Sequence, residues 1–251
     1  MSIDAYTVVL YAIFIAAGLT FVALLFLDAP YGRFTRGGWG VTLSARWAWA
    51  IMEFPSALSI LVMAFLSSGY GPISLIFLAL WEVHYLYRTF VYPRLLRGSA
   101  PRYMPIVLVL MAILYNTGNG YVNGYHLFVQ HVYDISWLGD LRFIAGITLF
   151  GLGMLMHISS DRTLQKLRAP GERGYRIPRG GMFRYVSSPN YLGEIVQWSG
   201  FAIATWSVAG LSFAVFTVAN LLPRAISNHR WYHETFPDYP EQRKAIIPFL
   251  L

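Results

Sequence analysis

The chain has 251 residues, of which 56% are hydrophobic and only 12% are charged. Soluble domains carry roughly a quarter of charged residues, so this composition excludes a soluble, disordered or coiled-coil protein and predicts a multi-pass membrane protein. The sequence contains no cysteine, which excludes disulfides, iron–sulfur clusters, thiolate zinc sites and a cysteine nucleophile, and its net charge is +7.

Apolar stretches along the chain have the length that a bilayer span requires, which is about 20 residues. Because a span must satisfy its backbone hydrogen bonds internally, each stretch is predicted to be a helix. The last two are separated only by a tight turn at Ser207. The sequence therefore predicts an all-α bundle of seven transmembrane helices, at Ala5–Leu27, Ala45–Leu66, Ile73–Val91, Met104–Val122, Leu141–Ile158, Tyr191–Trp206 and Val208–Leu222.

Basic residues alternate between the two sides of this predicted bundle. The loops after the first, third, fifth and seventh stretches are rich in arginine and lysine, whereas the intervening loops are acidic or uncharged apart from Arg142. Because cytoplasmic loops are enriched in these residues, the pattern places the N-terminus outside and the C-terminus in the cytoplasm. A bacterial inner membrane and the endoplasmic reticulum both fit this prediction, and we expect a monomer.

Ionisable side chains within the predicted spans are candidates for function, because they are costly to keep in lipid. Glu53 lies in the middle of the second span, just before Pro55, which frees backbone carbonyls. It either contributes to a site or only ties its helix to a neighbour. In the third span, Tyr85 and Arg88 share one helix face. Tyr85 either forms a proton-donating unit with Glu53 or belongs to an aromatic belt, and the pattern fits both.

The histidines give no indication of a metal site. The sequence has six of them, mostly in different predicted elements. His229 and His233 are four residues apart but are not part of an HEXXH motif. His157 falls where the fifth span ends and is interpreted as an interfacial residue. We therefore expect no metal.

The longest polar segment, Ser159–Asn190, combines arginines with glycine, proline and tyrosine. Arginine forks bind phosphate and glycine lets a ligand approach the backbone, so the segment predicts a polyanionic ligand. Alternatively, its charges only enforce topology and contact anionic lipid. Asn190 and Glu194 lie one helical turn apart at a helix start and can bind an amide or ribose. The same spacing recurs after the seventh span, in Arg224, Asn228 and Tyr232.

Two other ligand classes are excluded by pattern and position. No GxGxxG motif follows a strand, so a Rossmann dinucleotide site is not expected. The basic groups lie at a membrane surface, so we expect no nucleic acid.

Long motifs in the chain resemble those of the steroid 5-alpha-reductases, membrane enzymes that reduce the enone of 3-oxo-delta-4 steroids with NADPH. The most specific motif is GYRIPRGGMFRYVSSPNYLGEI from Gly174. Others are YGR at Tyr31, EFPS at Glu53, VHYLYRTFVYP at Val83, TGNGY at Thr117, LRxPG at Leu167, HRWY at His229 and DYPEQRKAIIPFLL at Asp238.

The resemblance implies a single membrane reductase domain over residues 1–251, with the substrate end mainly in residues 1–122 and the NADPH-binding loops mainly in residues 157–251. It implies that Glu53 and Tyr85 are catalytic and bind the 3-ketone of a hydrophobic, steroid-like substrate. Met52 stands where the family has glutamine, and Asn228 where the family usually has histidine. The departure at Met52 removes one polar group and weakens the steroid assignment more than the reductase assignment.

The remaining expected contacts also come from the resemblance. Met52, Phe54 and Arg88 are expected to contact the substrate. The resemblance and the supply of arginines for a 2′-phosphate both favour NADPH over NADH. The residues expected to bind this cofactor are Asp161, Arg168, Tyr175, Arg176, Asn190, Glu194, Arg224, Asn228 and Tyr232.

Three alternatives to a steroid reductase remain open from the sequence. The first is a membrane reductase of another lipid double bond, in a sterol, a polyprenol or an enoyl thioester. The second is a membrane methyltransferase that uses S-adenosylmethionine. The third is a proton-coupled transporter built on Glu53, Glu82 and Arg88, although the chain lacks the internal repeats typical of transporters.

Overall fold

The computed structural model describes residues 4–96, 103–167 and 174–251. These residues form a helical bundle, in which two short strands, β1 (Thr42–Ser44) and β2 (Tyr103–Pro105), pair antiparallel. The helices are α1 (Ala5–Phe26), α2 (Ala45–Leu66), α3 (Pro72–Leu86), α4 (Tyr92–Leu95), α5 (Ile106–Tyr125), α6 (Leu141–Lys166), α7 (Pro189–Thr205) and α8 (Val208–Thr235).

Among the described residues, five helices are long and apolar enough to cross a membrane. They are α1, α2, α5 with its extension to Gln130, α6 and α8. The predicted stretches Ile73–Val91 and Tyr191–Trp206 are also helical but are not in that set. The chain is thus all-α with a membrane-embedded character, as predicted.

Local sequence signals explain where several helices begin. The Asp140 side chain caps α6 by accepting a hydrogen bond from the backbone of Arg142 at 2.8 Å. Ser207 caps α8 in the same way, accepting from the Gly210 N–H at 2.9 Å. Pro189 occupies the first turn of α7, where its missing N–H costs nothing. The predicted tight turn at Ser207 therefore joins α7 to α8.

Two helices extend further than their apolar stretches predicted. α6 continues beyond Ile158 to Lys166, and α8 continues through Pro223 to Thr235. Their polar ends remain helical because they pack against the rest of the bundle. α3 is extended differently, by a π-helical turn at Tyr87–Val91 that leads into α4.

Glycines bring α6 and α7 into backbone contact. A Cβ atom on Gly153 of α6 would lie 2.6 Å from the carbonyl oxygen of Gly193 on α7, and one on Gly193 would lie 2.5 Å from the backbone nitrogen of His157. Gly146 and Gly200 make an equivalent contact further along the pair. Small residues allow this close approach in membrane helices, and here they bring the C-terminal half of α6 against the start of α7.

α2 is supported at its internal proline by polar groups of neighbouring helices. Pro55 interrupts the helical hydrogen bonding. The Asn116 amide on α5 donates to the carbonyl oxygen of Met52, and the Trp81 indole on α3 donates to that of Ser56 at 3.2 Å. These bonds fix the part of α2 that carries Glu53.

The segment that follows α8 holds the loop before α7. We call residues 240–251 the anchoring strap. The backbone N–H of Ser187 donates to the carbonyl oxygen of Lys244 at 2.8 Å, and that of Ser188 donates to Ala245 at 3.2 Å. The loop that leads into α7 is therefore pinned by residues far along the chain.

Candidate active site

A large cavity, of about 2170 Å³, lies within the described part of the bundle. Its walls come from α1, α2, α3, α5, α6, α7 and α8, and from the loop after α1. The cavity collects most of the side chains that the sequence singled out, from both halves of the chain. These lining residues are Met52, Glu53, Tyr85, Arg88, Asp161, Tyr175, Asn190, Glu194, Arg224, Asn228 and Tyr232.

Two of the predicted site residues that the structure describes are not among those lining the cavity. Phe54 points away from it and is 46% exposed. Arg176 is exposed and is not part of the lining. Arg168 lies outside the described residues.

Glu53 and Arg88 form a buried ion pair at one end of the cavity. The Nε and Nη2 atoms of Arg88 donate to Oε1 of Glu53 at 3.3 and 3.1 Å. The guanidinium lies 4.4 Å from the ring centroid of Trp49 and 4.6 Å from that of Tyr92. The hydrogen bonds of Glu53 thus run to Arg88 and not to Tyr85, the partner that the sequence suggested.

Tyr85 lines the same end of the cavity and is 2% exposed. Its ring packs at 5.1 Å from that of Trp81 and 5.9 Å from that of Trp198. This aromatic setting holds the ring in one orientation. A fixed phenol and a fixed carboxyl group therefore share one end of the cavity.

Further buried charges continue from this ion pair toward the end of α6. Glu194 lies 3.8 Å from Arg88 and 3.2 Å from Nε2 of His157, and Asp161 lies 3.1 Å from the same Nε2 atom. We call Glu53, Arg88, Glu194, His157 and Asp161 the buried charge chain. It connects the end of the cavity where Glu53 and Tyr85 lie to the predicted ligand-binding residues.

The interpretation of His157 as an interfacial residue is wrong. Its side chain is 1% exposed and is enclosed between α3, α6 and α7. The spacing of His157 and Asp161, one helical turn apart, is a signal that could have indicated the contact once α6 was known to continue past Ile158. The apolar pattern ended the helix too early for that.

The other end of the cavity holds polar groups that suit a large polar ligand. Asn190 donates to Asp161 at 3.3 Å, and Asn228 donates to the Ser188 hydroxyl at 3.4 Å. Arg224 donates to the Tyr191 hydroxyl at 2.9 Å. The first helical turn of α7 and the second half of α8 thus face one another across this end.

Arg33 is a lining residue that the sequence reasoning did not select. Its guanidinium lies 4.5 Å from the ring centroid of Tyr232 and 4.6 Å from that of Trp231, and it donates to the Tyr232 hydroxyl at 3.3 Å. The YGR motif at Tyr31 was the available signal. Arg33 adds a cation to the end of the cavity where Arg224 lies.

In the described ranges, no group of three or more histidine or acidic side chains is arranged to hold a metal ion. The described part of the cavity wall supplies hydrogen-bond donors, carboxyl groups and guanidinium groups.

Comparison with known proteins gives one consistent result. The sequence model of the 3-oxo-5-alpha-steroid 4-dehydrogenases matches residues 102–251. The chain is 45% identical to 3-oxo-5-alpha-steroid 4-dehydrogenase 1 of Bos taurus, over 92% of this chain and 91% of the relative. It is 46% identical to 3-oxo-5-alpha-steroid 4-dehydrogenase 2 of Rattus norvegicus, over 92% and 91%. It is 43% identical to a steroid 5-alpha-reductase of Arabidopsis thaliana, over 92% and 91%.

Proposed function

Because this chain belongs to the 3-oxo-5-alpha-steroid 4-dehydrogenase family and is therefore an oxidoreductase, we propose that it reduces the delta-4 double bond of 3-oxo-delta-4 steroids with NADPH. The observation that carries the proposal is the shared cavity. It joins Glu53 and Tyr85 at one end to Asn190, Arg224 and their neighbours at the other. A reductase of this kind needs both ends in one chamber, because hydride passes directly between two bound molecules.

The residues present fit a dinucleotide phosphate. Sites for one small molecule have volumes of about 300–1,000 Å³, so a cavity of about 2170 Å³ has room for a cofactor and a substrate together. Arg33 and Arg224 supply guanidinium groups for phosphate, and Asn190 and Asn228 supply amides. Asp161, Tyr175, Glu194 and Tyr232 complete the proposed cofactor contacts, together with Arg168 and Arg176.

Bound NADPH would supply the hydride that is added to the beta carbon of the enone. Arg88 contacts only Oε1 of Glu53 and leaves Oε2 toward the cavity. Oε2 would take up a proton when the substrate binds and donate it in a hydrogen bond to the substrate carbonyl oxygen. The Tyr85 hydroxyl donates to the same oxygen. Together they stabilise the negative charge that develops there as the double-bond electrons move toward oxygen. The alpha carbon then takes a proton, which completes the addition of two hydrogens.

The neighbouring residues would orient the substrate. Arg88 holds the Glu53 carboxyl in place, and Met52 contributes an apolar side chain beside it. Met52 replaces the glutamine of the family pattern, so the carbonyl would receive its hydrogen bonds from Glu53 and Tyr85 alone. Phe54 would contribute through its packing on α2, because its side chain faces away from the cavity.

The proposal extends to the membrane arrangement. We propose seven spans, in which α3 with its extension to Val91 is the third and α7 is the sixth, with the N-terminus outside and the C-terminus cytoplasmic. Residues 1–251 would form one domain, with the substrate end mainly in residues 1–122 and the cofactor end mainly in residues 157–251. We propose a monomer in either a bacterial inner membrane or the endoplasmic reticulum.

The test is the reaction of the purified chain with testosterone and NADPH, followed by NADPH absorbance and by the mass of the steroid. The parent should yield a product with two added hydrogens. Glu53→Gln and Tyr85→Phe should each lower kcat by about 10²- to 10³-fold, the cost of losing one donor to a developing oxyanion. Glu82→Gln is the matched control, because Glu82 is half-buried on α3 but outside the cavity lining. Activity of both site variants within about twofold of the parent would contradict the proposed roles.

A further inference from the structure

The anchoring strap ends in a group of exposed apolar side chains. We call Tyr185, Ile247, Phe249, Leu250 and Leu251 the apolar tip. Phe249 and Leu250 are 82% and 76% exposed, and the other three side chains are exposed as well. The Tyr185 ring lies 5.6 Å from that of Phe249, so the loop before α7 and the strap both contribute to the tip. Within the described residues this cluster is uncovered, and a contiguous apolar patch of this kind marks a surface that binds something apolar.

Backbone hydrogen bonds hold the apolar tip in one shape. The N–H of Leu251 donates to the backbone oxygen of Ile247 at 3.0 Å, and the N–H of Ile247 donates to that of Leu251 at 2.7 Å. This closed turn places Phe249 at a φ of 66°, in the left-handed region where a bulky residue is strained. The turn thus keeps a large apolar side chain at its apex, although a smaller residue would suit the backbone better.

The pairing of the strap with the loop before α7 sets the level of the apolar tip. The N–H of Lys244 donates to the carbonyl oxygen of Tyr185 at 2.9 Å, and the N–H of Ser188 donates to that of Ala245 at 3.2 Å. The proposed sixth span begins at Tyr191, three residues after Ser188. Consecutive Cα atoms are about 3.8 Å apart, so Ser188 and its strap partner lie within roughly 10–15 Å of that span. With the proposed spans, the tip is therefore level with the lipid headgroups of the cytoplasmic leaflet.

Basic residues beside the tip match the charge of that leaflet. Arg184 is exposed and directly precedes Tyr185, and Lys244 lies in the strap. The cytoplasmic leaflet carries anionic lipids, which attract basic side chains near its surface. Aromatic and aliphatic side chains flanked by basic ones are the composition typical of segments that lie in the membrane interface.

We propose that the apolar tip inserts into the cytoplasmic leaflet of the same bilayer that the helices span. The strap also holds the backbone of Ser187 and Ser188, which line the cavity. Lipid contact at the tip therefore helps to fix the end of the cavity assigned to the cofactor. This inference rests on the membrane arrangement given under the proposed function, and it does not depend on which reaction the chain catalyses.

Single nitroxide spin labels can measure the depth of the tip, because the chain has no cysteine of its own. Leu250→Cys carries the label and leaves Phe249 in place. The full chain is reconstituted in vesicles of phosphatidylcholine and phosphatidylglycerol, and collisions of the label with oxygen and with a water-soluble nickel chelate are compared. We expect frequent collisions with oxygen and few with nickel, at a depth of about 5–10 Å, as for other interfacial segments. Glu241→Cys, at an exposed polar position of the strap, is the water reference, and Leu152→Cys, on the exposed face of α6, is the lipid reference.

Phe249→Asn, made together with Leu250→Cys, tests whether the apolar side chain causes the insertion. Asparagine suits the left-handed backbone, so the turn is kept while the apex becomes polar. Collisions of the label with nickel should rise toward the value for Glu241→Cys. Phe249→Leu, made in the same way, is the matched control and should keep the label at its original depth.

Three results would overturn the proposal. The first is a Leu250→Cys label that meets nickel as often as the Glu241→Cys label, since the tip would then lie in water. The second is a label shielded from both oxygen and nickel, since a second copy or another protein segment would then cover the tip. The third is an unchanged depth in Phe249→Asn. If that variant does not fold, the depth of the Leu250→Cys label alone decides.

These results are separate from the fate of the proposed function. A parent chain that consumes no NADPH with any 3-oxo-delta-4 steroid contradicts the reductase proposal and leaves the depth measurement unaffected. A Leu152→Cys label that lies in water contradicts the proposed spans. A lipid-exposed label in Leu152→Cys together with a water-exposed one in Leu250→Cys contradicts the insertion of the apolar tip alone.

Discussion

The α6–α7 side of the cavity and the α1–α5 side differ in both packing and polarity. α6 and α7 meet backbone to backbone at their glycines and position Asp161, His157 and Glu194 within ion-pair distance. α1 and α5 contribute mainly aliphatic and small side chains to the cavity, among them Leu114, which is 79% exposed. Charged side chains that interact with one another need fixed positions. The apolar wall of a cavity needs only side chains of suitable volume. The two sides should therefore respond differently to substitution.

The largest effect is expected at the glycine contact. Gly153→Val places a side chain where the Gly193 carbonyl lies only 2.6 Å from the first added atom, so the helices must separate. Overpacking typically costs about 1–3 kcal/mol, and a rigid backbone on the other side leaves little room to relax. We expect a large drop in Tm in detergent and loss of activity. Gly151→Val is the control on the same helix, because a Cβ atom there meets nothing within 4 Å. Equal Tm values for the two variants would show that the contact is not tight.

The next effect concerns cofactor affinity. Arg224→Met removes a half-buried guanidinium that lines the cavity and donates to Tyr191. Hydrogen bonds to charged groups contribute about 1.5–3 kcal/mol, so NADP⁺ should bind about tenfold to 100-fold more weakly. Arg230→Met changes an exposed arginine on the same helix and should leave binding unaltered. Similar dissociation constants for both variants would place the cofactor elsewhere.

A smaller effect is expected at Met52, where the cavity wall is apolar but adjoins Glu53. Met52→Gln adds an amide beside the proposed carbonyl site. One additional hydrogen bond is worth about 0.5–1.5 kcal/mol, so KM for the steroid should fall by about twofold to tenfold. Met52→Leu keeps the volume without the polar group and serves as the control. If the glutamine and leucine variants have the same KM, this position does not contact the carbonyl end of the substrate.

The smallest effect is expected on the α1–α5 side. Leu114→Ala shortens a side chain that is already 79% exposed, so the free energy of unfolding should change by no more than about 0.5 kcal/mol. Leu10→Ala, at a buried position of α1, should cost about 2–5 kcal/mol. Chemical denaturation in detergent measures both. Comparable losses of unfolding free energy in the two variants would mean that Leu114 stabilises the fold. The α1–α5 side would then tolerate substitution less well than its exposure indicates.

The apolar pattern predicted the helices well where lipid-facing residues dominate and less well where the ends are polar. The predicted stretch Ala45–Leu66 matches α2 at both ends, and Ala5–Leu27 matches α1 within one residue. α6 and α8 extend past their predicted ends because residues beyond Ile158 and Leu222 are held by contacts with other parts of the chain. Hydropathy predicts which segments are apolar enough to lie in lipid. It does not predict whether a polar turn at the end of a helix is stabilised by packing against other parts of the protein.

The site was predictable as a set of residues but not as a set of contacts. Charge in an apolar span and family motifs identified Glu53, Tyr85 and Glu194, and all three line the cavity. The pairing of Glu53 with Arg88 depends on how far α2 and α3 are rotated about their axes, which the π-helical turn at Tyr87–Val91 changes locally. The burial of His157 was missed for the same reason, since its contact with Glu194 arises from the approach of a second helix.

The anchoring strap has a consequence for how the protein is made. Ser187 and Ser188 obtain their backbone partners from Lys244 and Ala245, which the ribosome adds only after all of α8. Until then, the segment that enters α7 has no such support, although α7 itself can already associate with α6. The loop before α7 thus gains this support only after α8 has been made, and chaperones or proteases that act on nascent chains would meet this region while it is still open.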